Sequence, residues 1–174
     1  MQKKELEKLV RNIPDFPVKG IQFKDITPLL KSPEALKWIA TDIKDHFSDS
    51  GVQYIAGIEA RGFIFGGLLA YEMGIGFIPI RKKGKLPYKT VSITYSLEYG
   101  ESSLEMHEDA LDVGDKVLIV DDLLATGGTT KATFDLIKKI GGNVIGAAFI
   151  IELTDLRGRE KLPFEVYSIL QYNI

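Results

Sequence analysis

Between Val117 and Thr130 the chain reads VLIVDDLLATGGTT, and this order restricts the possible folds more than any other stretch. Four apolar residues make the run that a strand buried on both faces requires, and two adjacent carboxylates, Asp121 and Asp122, close it. Glycines among threonines follow, and then a helical pattern with Thr133, Leu136, Ile137 and Ile140 on one side and Gly141-Gly142 as its stop. Strand, glycine-bearing turn and helix in that order predict an α/β fold in which the turn lies at the carboxyl edge of a parallel sheet.

That turn has its own chemistry. Glycines let the backbone bend so that successive N–H groups point inward, threonine hydroxyls add donors, and a helix N-terminus adds partial positive charge. Ala125, Thr126, Gly127, Gly128 and Thr129 therefore form a cup for a phosphate monoester. Neither GxxxxGK[ST] nor GxGxxG occurs there, which disfavours a nucleoside triphosphate or a dinucleotide. Two aspartates beside a phosphate would repel it unless they bind hydroxyls or work through a divalent cation. A ribose 5-phosphate meets that condition, with its 2- and 3-hydroxyls on Asp121 and Asp122. The alternative is that the acids merely end a strand and ATGGTT caps a helix.

The rest of the chain fits one domain over residues 1–174. About 1–32 form an N-terminal arm and hood, and about 33–174 a mostly parallel central sheet flanked by helices. Leu6, Leu9 and Val10 predict a short amphipathic helix within residues 1–12, and the proline-bearing segment NIPDFPVKGIQFKDITP an irregular lobe over 12–28. Ser32 followed by Pro33 starts a helix over 33–48. VQYIAGI (52–58), IGFIPI (75–80) and NVIGAAFIIEL (143–153) read as further buried strands, with a helix in FIFGGLLAYEM. VSITYSLEYGESSLEMHE alternates around Tyr99-Gly100-Glu101 and predicts a projecting β-hairpin lid near 82–108. LPFEVYSILQ reads either as a closing strand or as an interface.

Composition removes several chemistries. The chain has no cysteine and only two histidines, so thiol nucleophiles, disulfides, zinc ribbons and three-histidine metal cages are impossible. A net charge of -2 supplies no overall field for nucleic acid or an anionic membrane, so any anion site is local. MQKKELEKLV carries charge where a signal peptide needs an apolar region, and no run reaches the ~18 apolar residues of a membrane span, so a cytoplasmic protein is expected.

VLIVDDLLATGGTT resembles the phosphoribosyl-pyrophosphate (PRPP) signature of the type I phosphoribosyltransferases. The segments PDFPVKGIQFKDITPLL, IAGIEARGFIFG, IRKKGKLPYKT, YSLEYGESSLE and ELTDLRGREKL resemble the adenine branch of that family across nearly the whole chain. The resemblance implies transfer of 5-phosphoribosyl from PRPP to adenine, giving AMP and pyrophosphate, with Mg²⁺ carried mainly by PRPP and no firm protein ligand. It also implies a homodimer with small-molecule substrates only, binding neither nucleic acid nor membrane.

Residue by residue, it implies that the Glu59-Ala60-Arg61 turn holds pyrophosphate, with Glu59-Ala60 cis and Arg61 catalytic. A guanidinium beside a glycine-ended turn is chemically apt for that anion. The other possibility for Arg61 is an ion pair with Glu59 or Glu72. Arg81, Lys82 and Lys85 contribute further pyrophosphate contacts, or else, with Lys83, form a solvated basic loop. Glu98 becomes the proton-handling catalytic carboxylate and Tyr99 part of the lid, the alternative for Glu98 being a solvent-facing strand position.

In the hood, Phe23 supplies a wall for the planar base and Gln22 its backbone hydrogen bonds, though Phe23 could equally be core. Lys24 stands where many relatives carry arginine, so its base contact lacks a planar fork. Other members of the superfamily act on hypoxanthine, guanine or xanthine, and some are non-enzymatic PRPP-binding regulators joined to a DNA-binding domain. No helix-turn-helix with a basic reading face is visible here.

Overall fold

The computed structural model describes residues 1–96 and 100–173. Among them seven strands form one sheet in the order β5-β6-β4-β3-β7-β8-β9. The strands are β3 (Tyr54–Ile58), β4 (Gly76–Lys82), β5 (Thr90–Ser96), β6 (Glu101–His107), β7 (Lys116–Leu124), β8 (Asn143–Leu153) and β9 (Glu165–Tyr172). From β4 to β9 all neighbours run parallel, and β6 lies antiparallel to both β4 and β5.

Alternate residues of the buried strands face opposite sides, and two cores result. Ile55, Leu118, Val120, Ala148 and Ile150 pack under α3 (Pro33–His46) and α4 (Gly62–Met73). Ile58, Ile119, Ala147 and Phe149 pack under α5 (Gly128–Lys139) together with Leu104 and Met106 at the root of the hairpin. Helix α3 begins as expected, with the Ser32 hydroxyl accepting from the Ala35 amide at 3.2 Å and Pro33 in the first turn.

Several boundaries differ from the sequence expectation for identifiable reasons. The N-terminal helix is only α1 (Lys3–Glu7). After it the chain turns into β1 (Arg11–Pro14), which pairs antiparallel with β2 (Gln22–Asp25). The segment expected to be an irregular lobe is therefore an ordered hairpin, fastened by an Arg11–Asp25 ion pair at 3.6 Å and by the Asp15 carboxylate accepting from the Gly20 amide at 2.7 Å. Prolines disfavour helices and interior strands, but a two-stranded edge tolerates them. A short helix α2 (Thr27–Leu30) follows, and Ile26 and Leu29 bury against the core, so the hood is anchored at its base.

Strand β7 runs through both aspartates to Leu124, because β8 continues the ladder opposite Leu123 and Leu124. The C-terminal segment is a strand, β9. The hairpin is less detached than expected, since β6 pairs with β4 at Arg81 and Lys82 and so extends the main sheet. No described helix is long and apolar enough to cross a membrane.

Register brings the functional loops to one edge. Gly57 pairs with Val120, so the chain leaves β3 where β7 reaches its acids. Helix α4 then starts directly over β7. A Cβ on Gly62 would lie 2.8 Å from Asp121 Oδ1 and 2.9 Å from the Val120 carbonyl oxygen. Gly62→Ala is expected to destabilise the protein by about 1–3 kcal/mol through overpacking against backbone, seen as a lower urea midpoint. An unchanged midpoint would mean that α4 can lift from β7 freely.

Candidate active site

Three contiguous cavities lie along the carboxyl edge of the sheet. The first, about 80 Å³, is enclosed by Asp121 and Leu123–Thr130. The second, about 380 Å³, shares Asp121, Leu123, Ala125 and Thr129 with it and extends past Asp122 to Ala60, Arg61 and Lys82. The third, about 280 Å³, continues from Glu59, Ala60 and Lys82 to Arg81, Lys85 and Phe63.

The small cavity is lined by the residues expected to form the cup, Ala125–Thr129. Gly127 caps α5 with a left-handed φ of 78°, and the first backbone N–H returned to the helix is that of Lys131, donated to the Gly127 carbonyl at 2.9 Å. The amides at the start of α5 precede that first helical bond and are available to an anion. Thr129 adds its hydroxyl, which lies 3.2 Å from the Tyr95 hydroxyl on β5. That tyrosine, which also lines the second cavity, was not singled out from the sequence, where it is one of several alternating positions of a hairpin.

The two aspartates occupy different electrostatic positions. Asp122 is buried and its carboxylate accepts from Arg61 Nε at 2.5 Å. The ion pair suggested for Arg61 with Glu59 or Glu72 is thus replaced by one with Asp122, while Glu72 pairs with Lys44 at 3.2 Å. Asp121 has no such cation. Burial first, and then the charge of Asp122, push its carboxyl well above the ordinary range, although the Asp122 amide donates to it at 2.9 Å.

Around the turn after β3, the Glu59–Ala60 peptide is cis, as the resemblance implied. The Glu59 side chain is nearly buried and pairs with Arg81 at 2.8 Å and Lys85 at 3.2 Å. Burial alone would raise its carboxyl, but hydrogen bonds from Arg81, the Lys82 amide and Lys85 outweigh it and hold it below the usual range. Glu59 therefore organises the basic loop. Lys82 has no carboxylate partner among the described residues and faces both larger cavities.

A second organiser, absent from the sequence reading, is Glu105 on β6. It is buried, with Oε1 accepting from the Lys85 and Leu86 amides at 3.0 and 2.9 Å. As an acid in an alternating strand it carried no signal, because its burial comes from the loop folding over it.

The hood residues divide. Phe23 lies edge-on to Phe16 and has the Arg61 guanidinium 6.0 Å from its ring centre, so it borders the site. Gln22 accepts from Asn12 at 2.7 Å, and Lys24 donates to Asn12 at 2.9 Å while sitting 4.7 Å over the Tyr172 ring. Both side chains are thereby held along the hood hairpin. Glu98 and Tyr99 lie outside the described residues.

A family profile described as phosphoribosyl transferase domain matches residues 25–173. The adenine phosphoribosyltransferase of Halothermothrix orenii is 56% identical over 168 residues, spanning 96% of this chain and 99% of that protein. That of Methanococcus maripaludis is 50% identical over 171 residues, 98% of this chain and 99% of the other. Among crystal structures, the adenine phosphoribosyltransferase of Thermoanaerobacter pseudethanolicus superposes with a TM-score of 0.95 at 48% identity, over 98% of this chain and 100% of the other. The Giardia lamblia enzyme, complexed with 9-deazaadenine, gives 0.93 at 35% identity, over 100% of this chain and 99% of the other.

The raised Asp121 carboxyl has a direct consequence for stability. A folded-state value above the unfolded one contributes stability that is fully present below the unfolded value and is lost as pH rises through the folded one. Asp121→Asn removes the buried charge, so the variant should outlast the parent in urea at pH 7–8. Its advantage should shrink as pH is lowered towards the ordinary aspartate range near 4. A variant less stable than the parent at pH 8 would show that the ionised carboxylate is well satisfied.

Proposed function

The chain belongs to the phosphoribosyl transferase family, in its adenine phosphoribosyltransferase branch, and we propose that its three joined cavities carry out that branch's reaction in the following way. The enzyme serves purine salvage, transferring 5-phosphoribosyl from PRPP to adenine to give AMP and pyrophosphate. The observation that carries the site assignment is the continuity of phosphate cup, paired acids and basic loop around Arg61.

The 5-phosphate sits against the backbone of Ala125–Thr129, and the ribose diol donates to Asp121 and Asp122. Donation from the hydroxyls favours the ionised form of Asp121, which burial otherwise opposes. The pyrophosphate lies over the Ala60–Gly62 turn, at the positive end of α4, within reach of Arg61, Lys82 and the loop that Glu59 and Glu105 hold. Phe23 borders the base. The purine N9 forms the new bond to ribose C1 while the C1–oxygen bond breaks, and the electron pair leaves with pyrophosphate, whose charge these cations stabilise. The N9 proton passes to Glu98, and Tyr99 is assigned to the lid over PRPP.

Mg²⁺ supplies charge neutralisation on the pyrophosphate oxygens when bound. Among the described residues no group of three or more His, Asp or Glu could cage a metal ion. In this reading the ion would be held mainly by the oxygens of PRPP, with the neighbouring aspartates engaged with the ribose hydroxyls. A cytoplasmic location is part of the proposal.

A homodimer is the second part of the proposal. Helix α4 leaves Ile64 44% and Tyr71 85% exposed, one heptad apart on the same face. Light scattering should give twice the chain mass, and Tyr71→Glu should shift it towards one. A monomeric parent would overturn the dimer.

The activity is tested by incubating the protein with PRPP, Mg²⁺ and each purine separately. AMP from adenine is expected, with hypoxanthine and guanine far slower. Comparable rates with a 6-oxopurine would reject the base assignment, and no nucleotide from any purine would reject the enzyme. Glu98→Gln should lower kcat about 100-fold with PRPP binding little changed. A loss in binding alone would remove Glu98 from the chemical step.

A further inference from the structure

Behind the phosphate cup lies a charge cluster, built on the buried Glu152 and the 44% exposed Arg159 side chain, that takes no part in the reaction as described. Glu152, near the end of β8, pairs across the sheet with Leu124, the last residue of β7 before the cup. Its side chain is 5% exposed and accepts Arg159 Nε at 3.0 Å and Arg159 Nη2 at 2.6 Å, a two-pronged contact. Gln171 Nε2 adds a third donor at 3.3 Å, and Arg159 Nη1 reaches the Val166 carbonyl on β9 at 2.8 Å. The guanidinium is thus fixed to two strands.

After Glu152 the chain makes two tight turns, Thr154–Leu156 and Gly158–Lys161, the second carrying Arg159, and reverses between them at Arg157 with a left-handed φ of 50°. The reversal lays Gly158 directly on the cup. A Cβ on Gly158 would lie 2.2 Å from the Ala125 carbonyl oxygen and 2.8 Å from the Gly127 nitrogen. A Cβ on Gly127 would lie 2.5 Å from the Gly158 carbonyl oxygen. The two backbones therefore touch with no side chain between them, and any shift of residue 158 is transmitted to the amides of the cup.

We propose that Glu152 and Arg159 are positioning residues for phosphate binding, holding Gly158 as a rigid backing for the Ala125–Gly127 bend. The proposal rests on the assignment of residues 125–129 to the 5-phosphate. An ion pair whose cation is 44% exposed is screened by solvent and contributes little net stability, so its main effect is on geometry. The bidentate fork holds Arg159, and with it the adjacent Gly158, in one place. The Arg159 hydrogen bonds, against the opposing effect of burial, also keep the Glu152 carboxyl below its usual range, so the fork is charged throughout the neutral region.

The test uses the full chain with Arg159→Gln and, separately, Glu152→Gln, which keeps the shape of the side chain but removes its charge. Each should weaken ribose 5-phosphate binding by calorimetry, and raise KM for PRPP, roughly tenfold, the loss of about one charge-assisted hydrogen bond. The KM for adenine and kcat at saturating PRPP should stay within about threefold. A fall in thermal stability with ribose 5-phosphate affinity unchanged would overturn the proposal, as would a kcat loss at unchanged KM for PRPP. Should Arg159→Gln fail to fold, Glu152→Gln decides by the same readings. Thr129→Val distinguishes failure of the cup assignment itself: if that variant binds ribose 5-phosphate as the parent does, the cup lies elsewhere whatever Arg159 does.

Discussion

The parallel pairing of β3 with β7 is the constraint from which the site follows. With Gly57 opposite Val120, the turn that carries Arg61 and the strand end that carries Asp121 and Asp122 emerge at the same edge of the sheet. Helix α4 then presses Gly62 onto Asp121, and the Arg61 guanidinium closes onto Asp122. A guanidinium, two acids and a glycine-bearing turn are brought within one cleft by backbone register. The same geometry explains why the strand residues beneath are apolar without interruption: both faces of that part of the sheet are covered, so only the ends can carry charge.

Charge in the cleft is arranged in opposition. Asp122 answers Arg61, Glu59 answers Arg81 and Lys85, and Glu105 gathers the amides of the basic loop. Asp121 and Lys82 have no ion-pair partner among the described residues, and both line the central cavity. An anion reaching Lys82 and hydroxyls reaching Asp121 would complete a network that is otherwise balanced. A net charge of -2 for the chain is compatible with an anion site for this reason, since the field that matters is set over a few ångströms by paired groups.

Much of this was legible in the residues. The apolar run into Asp121 and Asp122, the glycines before α5 and the Ser32-Pro33 helix start are local signals, and local signals survive into the fold because they act through backbone conformation and hydrogen bonds a few residues apart. The hood hairpin was less legible, since Arg11–Pro14 is a strand only by virtue of pairing with Gln22–Asp25. Glu105, Glu152 and Gly158 were not legible at all. Glu105, in an alternating strand, reads as solvent-facing, Glu152 is a lone acid at the end of an apolar run, and nothing in LTDLRGREKL states that its glycine will lie against a bend about thirty residues earlier in the chain.

The sequence by itself determined the class of fold, the order of its elements and the chemistry of its turns, because hydrophobic period, glycine placement and capping are written in neighbouring residues. Only the tertiary structure decided which charges meet. Arg61 takes Asp122 instead of Glu59 or Glu72, and Arg159 takes Glu152, because partner choice depends on sheet register and helix seating, which bring distant residues within a few ångströms of each other.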